Sequence, residues 1–262
     1  MTIEKHTTYD AFLSIAPGLA KIVAIIGIVA AGIFVVLPNI TGTSTGLDQT
    51  SNPGLIRDYN PVSGKKDSNI TVVEFLDFQC PGCKGLSPVI KQIREEYKNE
   101  VRFVDKMYPL PIHANAEISA QSAMAASKQG KYFEFGEKLF AYQDSPGLSQ
   151  RTQEQVATEL GLNMDQWNKD RKSKEIAQQV AWDKVDGRNA VLPLKEGSNE
   201  SGAVDSTPTL IFMKDNKILY KSNGLSSDEF KTKLDKLLGK PAAVSDQAPK
   251  TDTPAKTQEI KK

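Results

Sequence analysis

The chain has 262 residues, and its 33 basic and 32 acidic side chains leave a formal net charge of +1. That balance supplies no clustered basic face, so nucleic acid is not an expected partner. Two cysteines in so long a chain exclude a disulfide-stapled scaffold, and stability must come from an apolar core.

Between Asp10 and Asp48 the only charged residue is Lys21, and Ile22 to Leu37 is an unbroken run of 16 apolar or glycine residues. As a helix the run covers about 24 Å, short of a hydrocarbon core of about 30 Å, so a span needs Leu19, Ala20 and Ile40 while Lys21 snorkels. Residues 19–40 are read as a transmembrane anchor. A cleaved signal is the competitor, although Pro38 to Thr43 makes a poor cleavage site, and a buried soluble helix is the third reading. Lys5 and Lys21 precede the run, whereas no Lys or Arg follows until Arg57. Residues 1–18 are therefore expected in the cytoplasm and the rest beyond the membrane, in a single-pass cell-membrane protein or a secreted one. Disulfides persist on that side.

Residues 41–54, rich in Thr, Gly, Ser, Asn and Pro, read as a flexible tether, and a domain is expected over 55–239. A short edge strand around Leu55 to Tyr59 is the alternative start. Ile70 to Phe78 is β-rich and almost continuously apolar, which predicts a central strand covered on both faces. Glu74 and Asp77 interrupt it. A carboxyl buried beneath a dithiol keeps its proton, making Glu74 a candidate proton carrier, with an ordinary solvated strand residue as the bland reading. Asp77 is assigned to turn chemistry.

The strand runs into Cys80-Pro81-Gly82-Cys83, which contains both cysteines of the chain. Residues three apart on a helix share a face, at a separation that suits a reversible disulfide. Pro81 suits a first helical position. Cys80 then lies at the N-cap, where orphan N–H groups and the helix dipole favour thiolate, so Cys80 is the expected nucleophile and Cys83 the sheltered resolving thiol. Half a zinc site and two inert cysteines are the competing readings. Structural zinc needs four ligands, and only His6 and His113 are on offer beside the pair. No metal or other cofactor is expected.

A helix is predicted to about Lys98, with Leu86, Val89, Ile90, Ile93 and Tyr97 as its apolar stripe and Pro88 as a kink. Val101 to Lys106 is a second strand, completing a βαβ unit. Residues from about 114 to 190 read as all-helical: two stretches from Ala114 to Tyr142 divided at Gly130, and a helix opened by a Thr152–Gln155 capping box and closed by Gly161. One long helix follows from Met164 to Gly187, with Trp167, Ile176, Val180 and Trp182 among its apolar positions. Thr209 to Met213 and Lys217 to Lys221 form a hairpin around Asp215-Asn216. Ser226 and Glu229 cap a last helix that ends at Gly239, and 240–262 reads as a disordered tail.

A strand ending in Cys80-Pro81-Gly82-Cys83, the βαβ unit, and a later hairpin and helix opened by Ser206-Thr207-Pro208-Thr209 resemble a thioredoxin fold. Within that superfamily the chain is most similar to the DsbA-like extracytoplasmic oxidoreductases. The stretch Phe75 to Cys83, with Tyr108 to Pro111 and His113 to Ala116, is the most specific part. The resemblance implies an α/β fold, a central mixed β-sheet flanked by helices, with an inserted all-helical subdomain, to which the apolar run read above adds a preceding transmembrane helix. It implies a cis Pro208 facing the disulfide, a Thr207 backbone free to pair with extended substrate, and substrate contact at Pro81 and Gly82. It also puts Glu74 where the superfamily has a buried acid, whereas His113 matches no catalytic position and is read as a loop hydrogen-bonder. Gly82 is a departure: the DsbA enzymes often carry His there, a side chain able to stabilise the thiolate.

The expected function is a thiol:disulfide oxidoreductase that introduces disulfides into exported cysteine-containing proteins. With no third cysteine for internal relay, a membrane oxidase of the DsbB or VKOR kind must regenerate its disulfide. A tethered reductase or isomerase, and a peptide-binding chaperone module, are the alternatives.

Overall fold

The computed structural model describes residues 54–190 and 203–241. All of them lie in the compact unit Gln49–Lys262. The expected anchor, the cytoplasmic segment, nearly all of the tether and the tail beyond Pro241 fall outside the described residues. No described helix is long and apolar enough to cross a membrane.

Strands β1 (Val62–Gly64), β2 (Ile70–Leu76), β3 (Arg102–Met107), β4 (Thr209–Lys214) and β5 (Lys217–Ser222) form one sheet in the order β1-β3-β2-β4-β5. β2 runs parallel to β3 and antiparallel to β4, and both outer pairs are antiparallel. All seven residues of β2 are buried, as its continuous apolar run predicts for a strand covered on both faces. Helix α1 (Pro81–Glu96) makes the crossover from β2 to β3, with Pro88 inside it.

Strand alternation sorts the core into two layers. Val72, Phe103 and Phe212 meet Leu86, Ile90 and Ile93 of α1 and Phe230, Leu234 and Leu237 of the last helix. Val73, Phe75, Val104, Ile211 and Met213 face the other way. Glu74, opposite Asp105 in the parallel register, bonds to Arg94 on the α1 side. Lys106, one residue on, bonds on the opposite side of the sheet. Asp215 and Asn216 take positive φ values of 51° and 61° in the tight turn between β4 and β5, a conformation that Asp and Asn tolerate better than most residues.

Between the halves of the fold lie α2 (Ala116–Ser127), α3 (Tyr132–Tyr142), α4 (Gln150–Glu159), α5 (Met164–Arg171) and α6 (Lys174–Arg188); α7 (Ser227–Leu238) ends the domain. The all-helical insertion is therefore present, but three local expectations change. The cap of α4 is Ser149, whose side chain accepts from the Thr152 N–H, so Thr152 sits in the first turn instead of opening the helix. The long helix is two, because Ser173 captures the Ile176 N–H and starts α6 afresh. The first strand is at Val62–Gly64, since residues 57–60 spend their polar groups on α6 in place of a sheet edge. At α7 the Ser226–Glu229 capping box has both of its bonds, and Gly239 ends the helix with φ 72°.

That α6 contact is a buried charge network. The Lys106 side chain is fully buried, with Nζ 2.8 Å from Asp183 and 2.9 Å from Asp186. Asn60 and the Met107 N–H also donate to Asp183, and Arg57 donates twice to Asp186 at 2.7 Å. Trp182, expected in the core, is 41 % exposed: its ring lies under the Arg57 guanidinium and stacks on Tyr59.

Candidate active site

The two cysteines sit where β2 gives way to α1. Cys80 has the extended backbone of an N-cap (φ −75°, ψ 122°), Pro81 opens the helix, and Cys83 falls in its first turn. Both thiols are free; Cys83 is completely buried and Cys80 nearly so. Pro81 and Gly82 lie at the surface.

The two sulfurs are driven apart in acidity. Cys80 is pulled down to about 5, chiefly because the Cys83 thiol donates to it; the Thr207 side chain and the backbone N–H groups of Cys83 and Gly82 add to this, against the opposing effect of burial. The expected helix-terminal donors therefore contribute, but the partner thiol contributes more. Cys83 is pushed far up by the same bond and by burial. One proton thus resides on the inner sulfur, and the outer one is ready to react. Alkylation of the reduced protein by iodoacetamide should therefore rise with pH through a midpoint near 5, because the thiolate fraction grows as pH passes the lowered value. Mass mapping should place the adduct on Cys80. A midpoint near that of an ordinary thiol, about 8.5, would contradict this geometry.

Thr207–Pro208 is a cis peptide, and its surroundings bring the expected residues together. The Thr207 carbonyl lies 3.2 Å from Cys80 Sγ, to which the thiol form donates. A Cβ built on Gly82 would lie 3.1 Å from Pro208 Cδ and 3.6 Å from Cys80 Sγ, so the proline ring lies directly against the turn between the cysteines. A second cis peptide, Ser145–Pro146, was not anticipated.

Glu74 is 5 % exposed, not solvated, and burial together with the neighbouring Asp105 carboxylate raises it to about 8, against the pull of Arg94. Its hydrogen bond is to Arg94 at 3.2 Å, not to a sulfur. It reaches the dithiol through charge, adding to the upward push on Cys83.

Sequence reasoning underrated the supports of the turn. Asp77 is buried, and one carboxylate oxygen accepts from the Gln79 N–H at 2.7 Å. The other accepts from the Leu110 N–H at 2.9 Å and lies 2.6 Å from His113 Nδ1. The Asp77 N–H points at Cys83 Sγ, 3.5 Å away. Asp77 does make the expected turn and His113 the expected loop bond, but the two act on each other beneath the dithiol. Gln143, on which no sequence signal falls, donates to the carbonyls of Phe78 and Cys80. Among the described residues no three His, Cys, Asp or Glu side chains are grouped to hold a metal ion.

A family model described as Thioredoxin matches residues 57–236, which is most of the chain. The chain belongs to the thioredoxin family. Among solved structures, this family member superimposes on a thioredoxin-like oxidoreductase from Silicibacter pomeroyi DSS-3 with a TM-score of 0.59 and 21% identity, over 73% of this chain and all of the other. The thiol-disulfide exchange protein alpha-DsbA2 from Wolbachia pipientis gives 0.58 and 21%, over 70% of this chain and 90% of the other. Likeness at such identities shows the fold. In sequence, 145 residues of this thioredoxin-family chain are 30% identical to a stretch of the Na(+)/H(+) antiporter NhaA 3 from Salinispora tropica. The match spans 55% of this chain and only 22% of that antiporter.

Proposed function

We propose that the protein is a thiol:disulfide oxidoreductase that works outside the membrane from an N-terminal anchor and introduces disulfides into exported proteins. The observation that carries this reading is the pair of sulfurs one turn apart, the outer held acidic and the inner held protonated. Two solved structures of the same fold, an oxidoreductase and a thiol-disulfide exchange protein, point the same way.

In the oxidised protein a substrate thiolate attacks Cys80 Sγ and breaks the Cys80–Cys83 bond; Cys83 leaves with the electron pair and takes a proton, with Glu74 as the nearby buried acid that carries it. A second substrate thiolate then attacks the substrate sulfur of the mixed disulfide and expels Cys80 as a thiolate. The substrate loses two electrons and the protein gains them. A low pKa at Cys80 makes it a good leaving group and stabilises the reduced protein, which favours an oxidant. Thr207 offers its backbone to an extended substrate strand beside Pro208, and Pro81 and Gly82 present the surface next to it. Reoxidation falls to a membrane oxidase of the DsbB or VKOR kind.

Gly82 favours a second reading, a reductase or isomerase, because it puts no thiolate-stabilising side chain between the cysteines. The oxidised full-length protein, added in stoichiometric amount to reduced and unfolded ribonuclease, separates the two. An oxidase restores disulfides and equilibrates with glutathione near the potential of DsbA, about −120 mV. A value near that of thioredoxin, about −270 mV, with rapid reduction of insulin, would replace the oxidase by the reductase.

A further inference from the structure

Helices α1 and α3 stand apart above the β1-β3-β2 side of the sheet and enclose a cleft of about 660 Å³, within the range of small-molecule sites. Its walls are apolar, formed by Leu76, Phe78, Ile90, Phe133 and Phe140. Its floor is polar. There Arg94 Nη2 bridges Glu74 and Asp105, while the Arg94 Nε–H is buried with no acceptor. Tyr132, 5 % exposed, lies at the same floor, and its hydroxyl lies near the Asp105 carboxylate without a well-aligned hydrogen bond to it. Burial and the Asp105 carboxylate keep that hydroxyl protonated. About nine in ten buried polar groups in proteins are paired, so two donors without a well-aligned acceptor in one cavity mark a place for one.

The charges set the chemistry of that acceptor. At the rim Lys91 pairs with Glu137 and Lys98 with Glu95, leaving no net field there. At the floor the Arg94 charge is matched by Asp105, while Glu74 holds its proton up to about 8. A carboxylate ligand would meet Asp105, and an ammonium ligand would meet Arg94. We propose that this cleft binds a small neutral molecule with a ring-sized apolar body and a carbonyl or ether oxygen that accepts from Arg94 Nε–H and the Tyr132 hydroxyl. The site is separate from the Thr207–Pro208 surface and does not depend on the redox reading, because occupancy is read directly.

The test is a fluorine-NMR titration of the full chain with 4-fluoroacetophenone, with 4-fluorobenzoate and 4-fluorobenzylamine as charged counterparts. The ketone is expected to saturate, and both charged probes to bind at least about tenfold more weakly. Tyr132→Phe, which keeps the ring and removes one donor, should loosen the ketone by about tenfold. Ser87→Trp, which fills the cleft from α1, should abolish binding, and it decides the matter if Tyr132→Phe does not fold by circular dichroism. A ketone that never saturates leaves the cleft to water and overturns the proposal. So does binding that survives Ser87→Trp, or a charged probe that binds most tightly.

Discussion

Full-length protein carrying Cys83→Ser accumulates mixed disulfides with substrate proteins that already contain a disulfide, and protein carrying Cys80→Ser accumulates none. Both variants lose oxidase activity to the uncatalysed level, for different reasons. Without Cys83 the Cys80 thiolate still attacks a substrate disulfide and expels one substrate sulfur as a thiolate, but no inner thiol remains to release the captured one. Without Cys80 the remaining sulfur is completely buried, and that burial still favours its thiol form and keeps it from substrate. The trapped species is read on non-reducing gels and by mass spectrometry. Cys83→Ser also carries a second consequence. The Cys83 thiol is the largest single cause of the lowered Cys80 pKa, and a serine hydroxyl alters that bond, so the alkylation midpoint of Cys80 moves from its wild-type value near 5. A Cys83→Ser variant that forms no adduct while Cys80 still takes up iodoacetamide would remove the mechanism and leave the fold intact.

Lys106→Met destabilises the domain by about 3–5 kcal/mol, the usual effect of removing one partner from a buried ion pair. Lys106 Nζ lies within 3 Å of two carboxylates on α6, and the Asp183 side chain has no exposure. With the lysine gone, Asp186 retains Arg57, but Asp183 keeps only neutral donors and must be buried charged or take up a proton. Against total stabilities of about 5–15 kcal/mol the loss is large, and it appears as a lower urea midpoint with an unchanged slope. Lys106→Met combined with Asp183→Asn recovers part of it. The network is on the far side of the sheet from Glu74, so in folded Lys106→Met protein the Cys80 alkylation midpoint stays where it was. A loss below about 1 kcal/mol would show that Asp183 reaches water or a proton at little cost, and that the network does not hold residues 57–60 to α6.

How much could be read along the chain follows from the range of each interaction. The dithiol, its helix start and the Ser226–Glu229 box were legible because every partner lies within four residues, and local geometry suffices. The Asp215-Asn216 turn was legible for the same reason. Ser149 and Ser173 carried a signal of the ordinary N-cap kind, but the longer apolar pattern masked both, and in each case a serine oxygen won the competition for a backbone N–H. Gln143 carried none, since its two carbonyl acceptors lie more than sixty residues away.

The residues alone determined that a strand delivers two cysteines to a helix N-terminus and that an all-helical block separates the halves, whereas the place of Pro208, 125 positions after Cys83, beside them came from the resemblance to the thioredoxin fold. Periodicity, caps and motif spacing are short-range quantities, and a chain states them outright. Tertiary structure decided which charges share a burial site. Alternation along β3 sends Asp105 toward Arg94 and Lys106 toward Asp183, and the acidity of Glu74 and Cys80 depends on neighbours that only packing supplies. Electrostatics in a low-dielectric interior acts through space across a few ångströms, whatever the distance along the chain. For that reason the cleft under α3 and the network under α6 appear only once the sheet is assembled.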